Sequence, residues 1–248
     1  RDPEMSRGLG DVYKRQFTEK VLTIDPKDAE KVAEAVKASG KVFTISYPHR
    51  TFPTLRAVKA LMDSGKLGRV TYARVRNVHN GSSANWLPPH FYDKAQCGGG
   101  AMIDLGSHPM YTLYWLLGEP KSITSTFTQV TNRGVEDNAV SVIEFADGKI
   151  GVSETGFVSE CNPYTLEVSG TDGAVMVHGD SVQWGGKATE GKWVDLELPE
   201  KEPLPIDQWI DAVVNGKPSP FTIDEAVMLT RLMDGAYKAF ETGEKATF

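Results

Sequence analysis

Cysteine is scarce in this chain of 248 residues, with only Cys97 and Cys161 present. Neither belongs to a CxxC pair or a Cys/His cluster, which argues against a disulfide framework and a cysteine-ligated zinc site. No apolar run approaches the ~20 residues of a membrane span. No charged start followed by an apolar stretch indicates a signal peptide. We therefore expect a cytoplasmic protein without a membrane partner.

Positive charge is also in deficit, with 27 basic against 33 acidic side chains and a formal net charge of −6. A nucleic-acid surface needs a basic stripe, so we predict no nucleic-acid partner. The remaining composition, 40% hydrophobic and 24% charged, is that of an ordinary globular protein.

Residues 1–16 lack any apolar period. Gly8-Leu9-Gly10 begins like a dinucleotide fingerprint, but Tyr13 stands where the third glycine should be and no strand precedes it. The segment resembles translated sequencing adapter. We interpret residues 1–16 as a foreign or artefactual leader that takes no part in the fold.

Regular structure is predicted from Thr23 onward. Asp25 and Pro26 suit the N-cap and first turn of a helix that ends before Gly40, and the strand 41–47 follows. This pattern predicts that residues 17–50 are the last α/β unit of a dinucleotide-binding domain. Residues 51–248 then form a substrate-binding and catalytic α+β domain whose C-terminal helix returns toward that unit.

Short apolar segments separated by turn signals follow residue 120. They predict a large, open, mostly antiparallel sheet with flanking helices. The candidate strands are 122–130, 138–146, 149–157, 164–169, 174–178, 181–184 and 193–198. An open sheet leaves one face free, and we predict a homo-oligomer that forms through it.

The most informative local pattern is Asp104 and His108, four residues apart on a predicted helix over 102–117. That spacing places both side chains on one helix face. The pair suits proton transfer coupled to hydride transfer, with the imidazole as acid or base. A local salt bridge or cap explains the same spacing. So does a metal site completed by His79 and His90.

A family resemblance distinguishes these alternatives. The stretch from Gly98 to Gly118 holds a glycine run, then Asp104, Gly106 and His108 in an Asp-x-Gly-x-His pattern, then Trp115-Leu116-Leu117-Gly118. It resembles the catalytic helix of the glucose–fructose oxidoreductase/inositol dehydrogenase family. Glu19-Lys20-Val21 is similar to the family's Glu-Lys-Pro motif. The resemblance covers residues 17–248.

The resemblance implies an NAD(P)-dependent oxidoreductase that acts on a sugar, inositol or related polyol. It implies that His108 is the acid/base, that Asp104 is its partner at the substrate, and that Lys20 is the cation near the reacting oxygen. Glu19 and Lys20 would also contact the cofactor, NAD or NADP. No metal is implied.

This sequence departs from the family in three places. Val21 replaces the proline, Tyr111 stands where many members carry aspartate three residues after the histidine, and the glycine-rich phosphate loop is absent. We therefore expect an N-terminally truncated chain that binds cofactor weakly and is inactive alone.

Four further residues lie in irregular segments near the catalytic helix, where loop side chains often contact ligands. These candidate substrate contacts are Arg50, Trp86, His90 and Tyr92. Two other functions remain open from the residues alone. One is a non-catalytic binding or oligomerisation module, and the other is a metal-dependent sugar isomerase or hydrolase.

Overall fold

The computed structural model describes residues 15–161 and 164–248. Residues 1–14, which make up most of the predicted leader, lie outside the described part. The chain begins with β1 (Gln16–Thr18), α1 (Pro26–Ser39) and β2 (Phe43–Ile45), and β1 pairs with β2 in parallel. Asp25 caps α1 by accepting a hydrogen bond from the Lys27 amide, and Gly40 ends it at φ 59°.

A short strand leads into Glu19 and Lys20, because β1 ends one residue before Glu19. Gln16, which was assigned to the leader, belongs to this strand and pairs with Phe43. A three-residue strand shows no period in a sequence, so only its hydrogen bonds to β2 reveal it.

Nine strands form the main sheet, in the order β10-β9-β8-β7-β3-β6-β5-β4-β11. The mostly antiparallel α+β architecture expected from the sequence is confirmed. The one parallel pair is β3 with β6, since β3 inserts between β6 and β7. The strands are β3 (Val70–Val78), β4 (Pro120–Thr128), β5 (Asn138–Phe145), β6 (Ile150–Gly156), β7 (Thr165–Gly170), β8 (Gly173–His178), β9 (Ser181–Gly186), β10 (Val194–Asp195) and β11 (Ala246–Thr247).

Alternation along each strand gives the sheet two different faces. In β5, Ala139, Ser141 and Ile143 are buried, while Val140 and Val142 remain exposed. Two helices, α5 (Ser107–Leu117) and α7 (Ile223–Thr242), pack on the inner face and enclose the core with it. The outer face of the central strands keeps apolar side chains in contact with solvent.

The other helices are shorter than α7, and no described helix is long and apolar enough to cross a membrane. They are α2 (Pro53–Asp63), α3 (Lys94–Cys97), α4 (Ala101–Asp104) and α6 (Pro205–Asn215), with 3-10 turns at Pro48–Thr51, Pro89–Tyr92 and Lys187–Thr189. Helix α7 also contacts α1, with Arg231 bound to Glu30 and Lys37 to Asp224. These contacts join the N-terminal unit to the sheet.

The prediction of a single helix over 102–117 is wrong, because the helix is interrupted between the end of α4 and the start of α5. The Gly106 amide bonds to the Ala101 carbonyl, five residues back, at 2.9 Å. A Cβ atom at Gly106 would lie 2.4 Å from the Met102 carbonyl oxygen, closer than any real side chain allows. Glycine is therefore needed here for a close backbone approach. Asp104 is the last residue of α4, and His108 is the second residue of α5.

Candidate active site

Lys20 reaches from the end of β1 to the end of α4. Its Nζ lies 2.7 Å from Asp104 Oδ1 and donates a second bond, also 2.7 Å, to the Asp104 carbonyl oxygen. The side chains are 14% and 28% exposed, so the charge pair is only partly accessible to solvent. The peptide bond after Lys20 is cis. This contact brings together two predicted site residues that are 84 positions apart in sequence.

The pair lines a cleft of about 370 Å³ between the N-terminal unit and the glycine-rich turn before α4. Apolar and polar groups share its wall, including Ile24, Phe91, Gln96 and Gly100. A concave site with a few polar groups is the usual form of a small-molecule pocket. The cleft therefore presents an ammonium and a carboxylate to a ligand of sugar size.

His108 lies beside this pair but does not line the cleft. Its Nδ1 is 2.8 Å from the Tyr111 hydroxyl, and the His49 backbone amide donates to the same hydroxyl at 3.1 Å. The rings of His49 and His108 stack with centroids 4.2 Å apart and planes 14° apart. Asp104 and His108 therefore do not form the local pair that their spacing allows.

Both imidazoles are held neutral. Burial, reinforced by the His49 ring and the Lys20 ammonium, lowers the pKa of His108 to about 2. Burial and Lys20 lower the pKa of His49 to about 4. Desolvation disfavours the charged form of a base, and a nearby cation adds to that effect. Lys20 is thus close enough to influence both rings.

Glu136 holds the turn that leads into α4. One of its oxygens, Oε1, accepts bonds from the Gly100 amide at 2.8 Å, the Met102 amide at 3.0 Å and the Tyr237 hydroxyl at 2.6 Å. Gly99 allows Tyr237 to approach, since a Cβ atom there would lie 1.9 Å from the tyrosine oxygen. The carboxylate fixes the backbone at Gly100 and Met102, four and two residues before Asp104, and with it one wall of the cleft.

Arg50 is not brought into the cleft. Its guanidinium bonds to Glu225 Oε1 at 2.5 Å and lies over the Trp115 and Phe221 rings at 5.0 and 5.1 Å. These contacts tie the turn after β2 to α7. A substrate contact by Arg50 stays a prediction.

The other predicted contacts surround the site without lining the cleft. Trp86 is 54% exposed and its indole donates to Asn80 at 2.9 Å. The Tyr92 hydroxyl accepts from Ser82 at 3.2 Å, while His90 and Glu19 are exposed. Of the turn Pro89–Tyr92, it is Phe91 that lines the cleft. A substrate contact by Trp86, His90 or Tyr92 stays a prediction.

The metal-site alternative finds no ligand set in the residues that the structure describes. Across 15–161 and 164–248, no three His, Cys, Asp or Glu side chains are grouped so as to hold an ion. The His79 ring is instead stacked on Phe157 at 4.9 Å, and its Nδ1 accepts from the Gly81 amide at 3.0 Å. Tertiary packing thus accounts for His79.

Three residues near the reactive groups were not anticipated: His49, Tyr111 and Phe91. For His49 a signal was available. Lys20 and His49 each follow a strand, and β1 and β2 are parallel, so both lie at the same carboxyl edge, where ligand sites of α/β units form. For Tyr111 no such signal was available. Its position in the sequence indicated only that an aspartate present in many family members is replaced here.

The geometry can be set beside known proteins. Residues 55–176 match the sequence profile of the GFO/IDH/MocA C-terminal domain. This chain carries a GFO/IDH/MocA C-terminal domain. The matched range includes the glycine run, Asp104, Gly106 and His108. The family resemblance inferred from those residues is therefore confirmed.

Relatives of this GFO/IDH/MocA chain include two curated enzymes. The chain is 26% identical over 170 residues to 1,5-anhydro-D-fructose reductase of Ensifer adhaerens, covering 66% of this chain and 49% of that protein. It is 28% identical over 174 residues to scyllo-inositol 2-dehydrogenase (NAD(+)) of Bacillus subtilis strain 168, covering 66% and 48%. The chain spans about half the length of the curated relatives that it matches.

A solved structure has a similar fold. GenD2 from gentamicin A biosynthesis, in complex with NAD, superposes with a TM-score of 0.80 at 28% identity. The match covers 96% of this chain and 73% of that one. The fold of the described residues is thus that of GFO/IDH/MocA proteins.

The described residues of this GFO/IDH/MocA chain do not fit the pyrophosphate of a dinucleotide. Such a group binds at a free helix N-terminus behind a glycine-rich turn. Here the N-terminus of α1 is already occupied by the Asp25 carboxylate, which accepts from the Lys27 amide at 2.8 Å. No other strand in residues 15–161 and 164–248 enters a helix through a glycine-rich phosphate loop. Contacts of Glu19 and Lys20 with a cofactor stay predictions.

Proposed function

We propose that this chain supplies the substrate-binding and proton-transfer groups of an NAD(P)-dependent oxidoreductase. Its substrate is a sugar, an inositol or a related polyol. One observation carries the proposal: the Lys20 ammonium and the Asp104 carboxylate share a cleft of about 370 Å³ beside the His108 imidazole. An acid/base and a cation near the reacting oxygen both assist alcohol oxidation, and a carboxylate can bind a neighbouring hydroxyl.

Each group has a distinct role. A nicotinamide, when bound, takes or gives the hydride. The Lys20 ammonium stabilises the negative charge that develops on the substrate oxygen. Asp104 has one oxygen on Lys20 and a second, Oδ2, with no partner among the described residues, which can accept a bond from a neighbouring hydroxyl. His108 exchanges the proton of the reacting oxygen.

The relatives support the substrate class. Their names describe a reductase of an anhydro sugar and a dehydrogenase of an inositol, both of which are cyclic and rich in hydroxyl groups. We carry over the shared chemistry, a secondary hydroxyl or its ketone on a polyhydroxylated ring, and neither individual substrate.

Asp104→Asn tests the substrate half of the proposal in this chain without any cofactor. The parent is titrated with a panel of inositols, pyranoses and their keto derivatives by calorimetry. We expect at least one ligand to bind. The variant should bind it about tenfold or more weakly, because a hydrogen bond to a charged group contributes about 1.5–3 kcal/mol.

Asp211→Asn is the matched control, since Asp211 also pairs with a lysine, Lys217, at 2.7 Å but lies on α6 outside the cleft. It should leave binding unchanged. Equal affinity in all three proteins would show that Asp104 does not bind the substrate.

Independently, the product of the complete gene is assayed for NAD(P)-dependent turnover of the same panel. Absence of turnover with every compound would overturn the enzymatic proposal.

We also propose a second copy of this chain as the partner of the outer sheet face. That face exposes Val140, Val142 and Ile150, each between 42% and 45% accessible, across the neighbouring strands β5 and β6. Contiguous exposed apolar residues mark interaction sites. Light scattering should report a dimer or larger species, and Val142→Glu should shift it toward monomer. A parent that is monomeric at high concentration would contradict this.

A further inference from the structure

The buried Tyr111 hydroxyl is in direct contact with the His108 ring. The side chain is 1% exposed and lies one turn after His108 on α5. Its ring stacks on Tyr47 with centroids 4.2 Å apart, so the phenol oxygen has a fixed position. Two described groups reach that oxygen: the His49 backbone amide at 3.1 Å and His108 Nδ1 at 2.8 Å.

One assignment of donors and acceptors satisfies the groups around the Tyr111 oxygen. A phenol has one proton to donate and lone pairs to accept with. The His49 amide is a donor, so it occupies a lone pair and cannot take the phenol proton. A buried hydroxyl needs an acceptor for its proton, and the acceptor within reach is His108 Nδ1. Nδ1 must therefore carry a lone pair.

A neutral imidazole with a lone pair on Nδ1 carries its proton on Nε2. The neutral form agrees with the pKa of His108, which burial lowers to about 2. Stacking on His49 at 4.2 Å holds the plane of the ring, so the Nε2–H vector is fixed as well. Nε2 has no hydrogen-bond partner among the described residues, which leaves it available to a ligand.

We propose that Tyr111 is a positioning residue that fixes His108 in the Nε2–H tautomer, so that the resting site presents a hydrogen-bond donor to the substrate oxygen. This rests on the proposed function for the identity of that oxygen. Lys20 is the second donor. A site with two donors suits the ketone form of the substrate, whose oxygen accepts two bonds and has no proton to place. In the oxidation direction, His108 must first change tautomer to offer a lone pair at Nε2.

The tautomer is measurable in the ligand-free chain, without activity. Two-bond nitrogen–proton correlation spectra distinguish Nδ1–H from Nε2–H, and five histidines make assignment by single substitution practicable. In the parent at pH 7 we expect His108 as a single Nε2–H species. In Tyr111→Phe, which retains the ring stack and removes the hydroxyl, we expect a mixture of both tautomers, with the Nδ1–H form rising to about a tenth or more.

Tyr114→Phe is the control on the same helix, since its hydroxyl bonds to Glu119 at 3.2 Å and does not contact His108. It should leave the His108 signals unchanged. A parent that shows Nδ1–H overturns the inference without any variant, so the test survives a failure of Tyr111→Phe to fold. An unchanged tautomer in folded Tyr111→Phe also overturns it. Either result leaves the hydride-transfer assay of the complete gene product unaffected, so the two proposals fail separately.

Discussion

We expect replacement of His108 with alanine to lower kcat/KM for the proposed NAD(P)-dependent turnover at least about 100-fold in the full-length protein. The pKa of the imidazole is lowered to about 2 by burial, the His49 ring and the Lys20 charge, and its Nε2 is unpaired among the described residues. A positioned acid or base contributes about 10²–10⁴ in rate. The measurement is the change in nicotinamide absorbance under kcat/KM conditions.

Two comparisons make this result interpretable. His108→Ala leaves the Tyr111 proton without an acceptor, which costs about 1–3 kcal/mol, so urea unfolding must show that the variant remains folded. His178→Ala on β8 is the matched control because that histidine is exposed and on the opposite part of the sheet. Turnover retained in folded His108→Ala would remove the imidazole from the reaction.

Replacing Glu136 with alanine lowers the free energy of unfolding of this chain by about 3–6 kcal/mol. The carboxylate is 7% exposed and accepts from three donors, two backbone amides and the Tyr237 hydroxyl. Each buried donor left without a partner costs about 1–3 kcal/mol, and the bonds to a charged acceptor are the stronger kind. Two of these donors open α4, where no other described side chain caps the helix.

Equilibrium urea unfolding measures this loss. Glu241→Ala is the control, since Glu241 is exposed and its contact with Lys94 is 3.5 Å, and such surface changes stay within about 0.5 kcal/mol. Glu136→Gln should fall between the two, because an amide oxygen still accepts but carries no charge. A loss below about 1 kcal/mol in Glu136→Ala would show that water replaces the carboxylate at the turn.

Much of the fold could be predicted from the sequence because its signals are local. Asp25, Pro26 and Gly40 delimit α1, and Asp147-Gly148 and Thr171-Asp172-Gly173 separate strands that the structure places within a few residues of their predicted bounds. Short apolar segments joined by turn signals predicted an open, mostly antiparallel sheet. The position of β3, parallel to β6, could not be predicted, because the partner of a strand is chosen by packing across the whole sheet.

The candidate site, too, could be predicted only in part from the sequence. The sequence by itself determined the residue types and their family, through the glycine run, Asp104, Gly106 and His108. Only the tertiary structure decided their partners. Asp104 pairs with Lys20 rather than with His108, because the break at Gly106 separates α4 from α5. Helical spacing assumes one continuous helix, and a single close backbone contact removes that assumption.

The environment of His108 likewise came from tertiary structure alone. His49 and Tyr111 are 62 residues apart, yet both contact one imidazole, while Arg50, next to His49, faces the opposite way toward Glu225. Sequence patterns record side-chain chemistry and local period. They do not indicate which buried donor forms a hydrogen bond with which acceptor, because those pairs form only when distant segments pack together and exclude water.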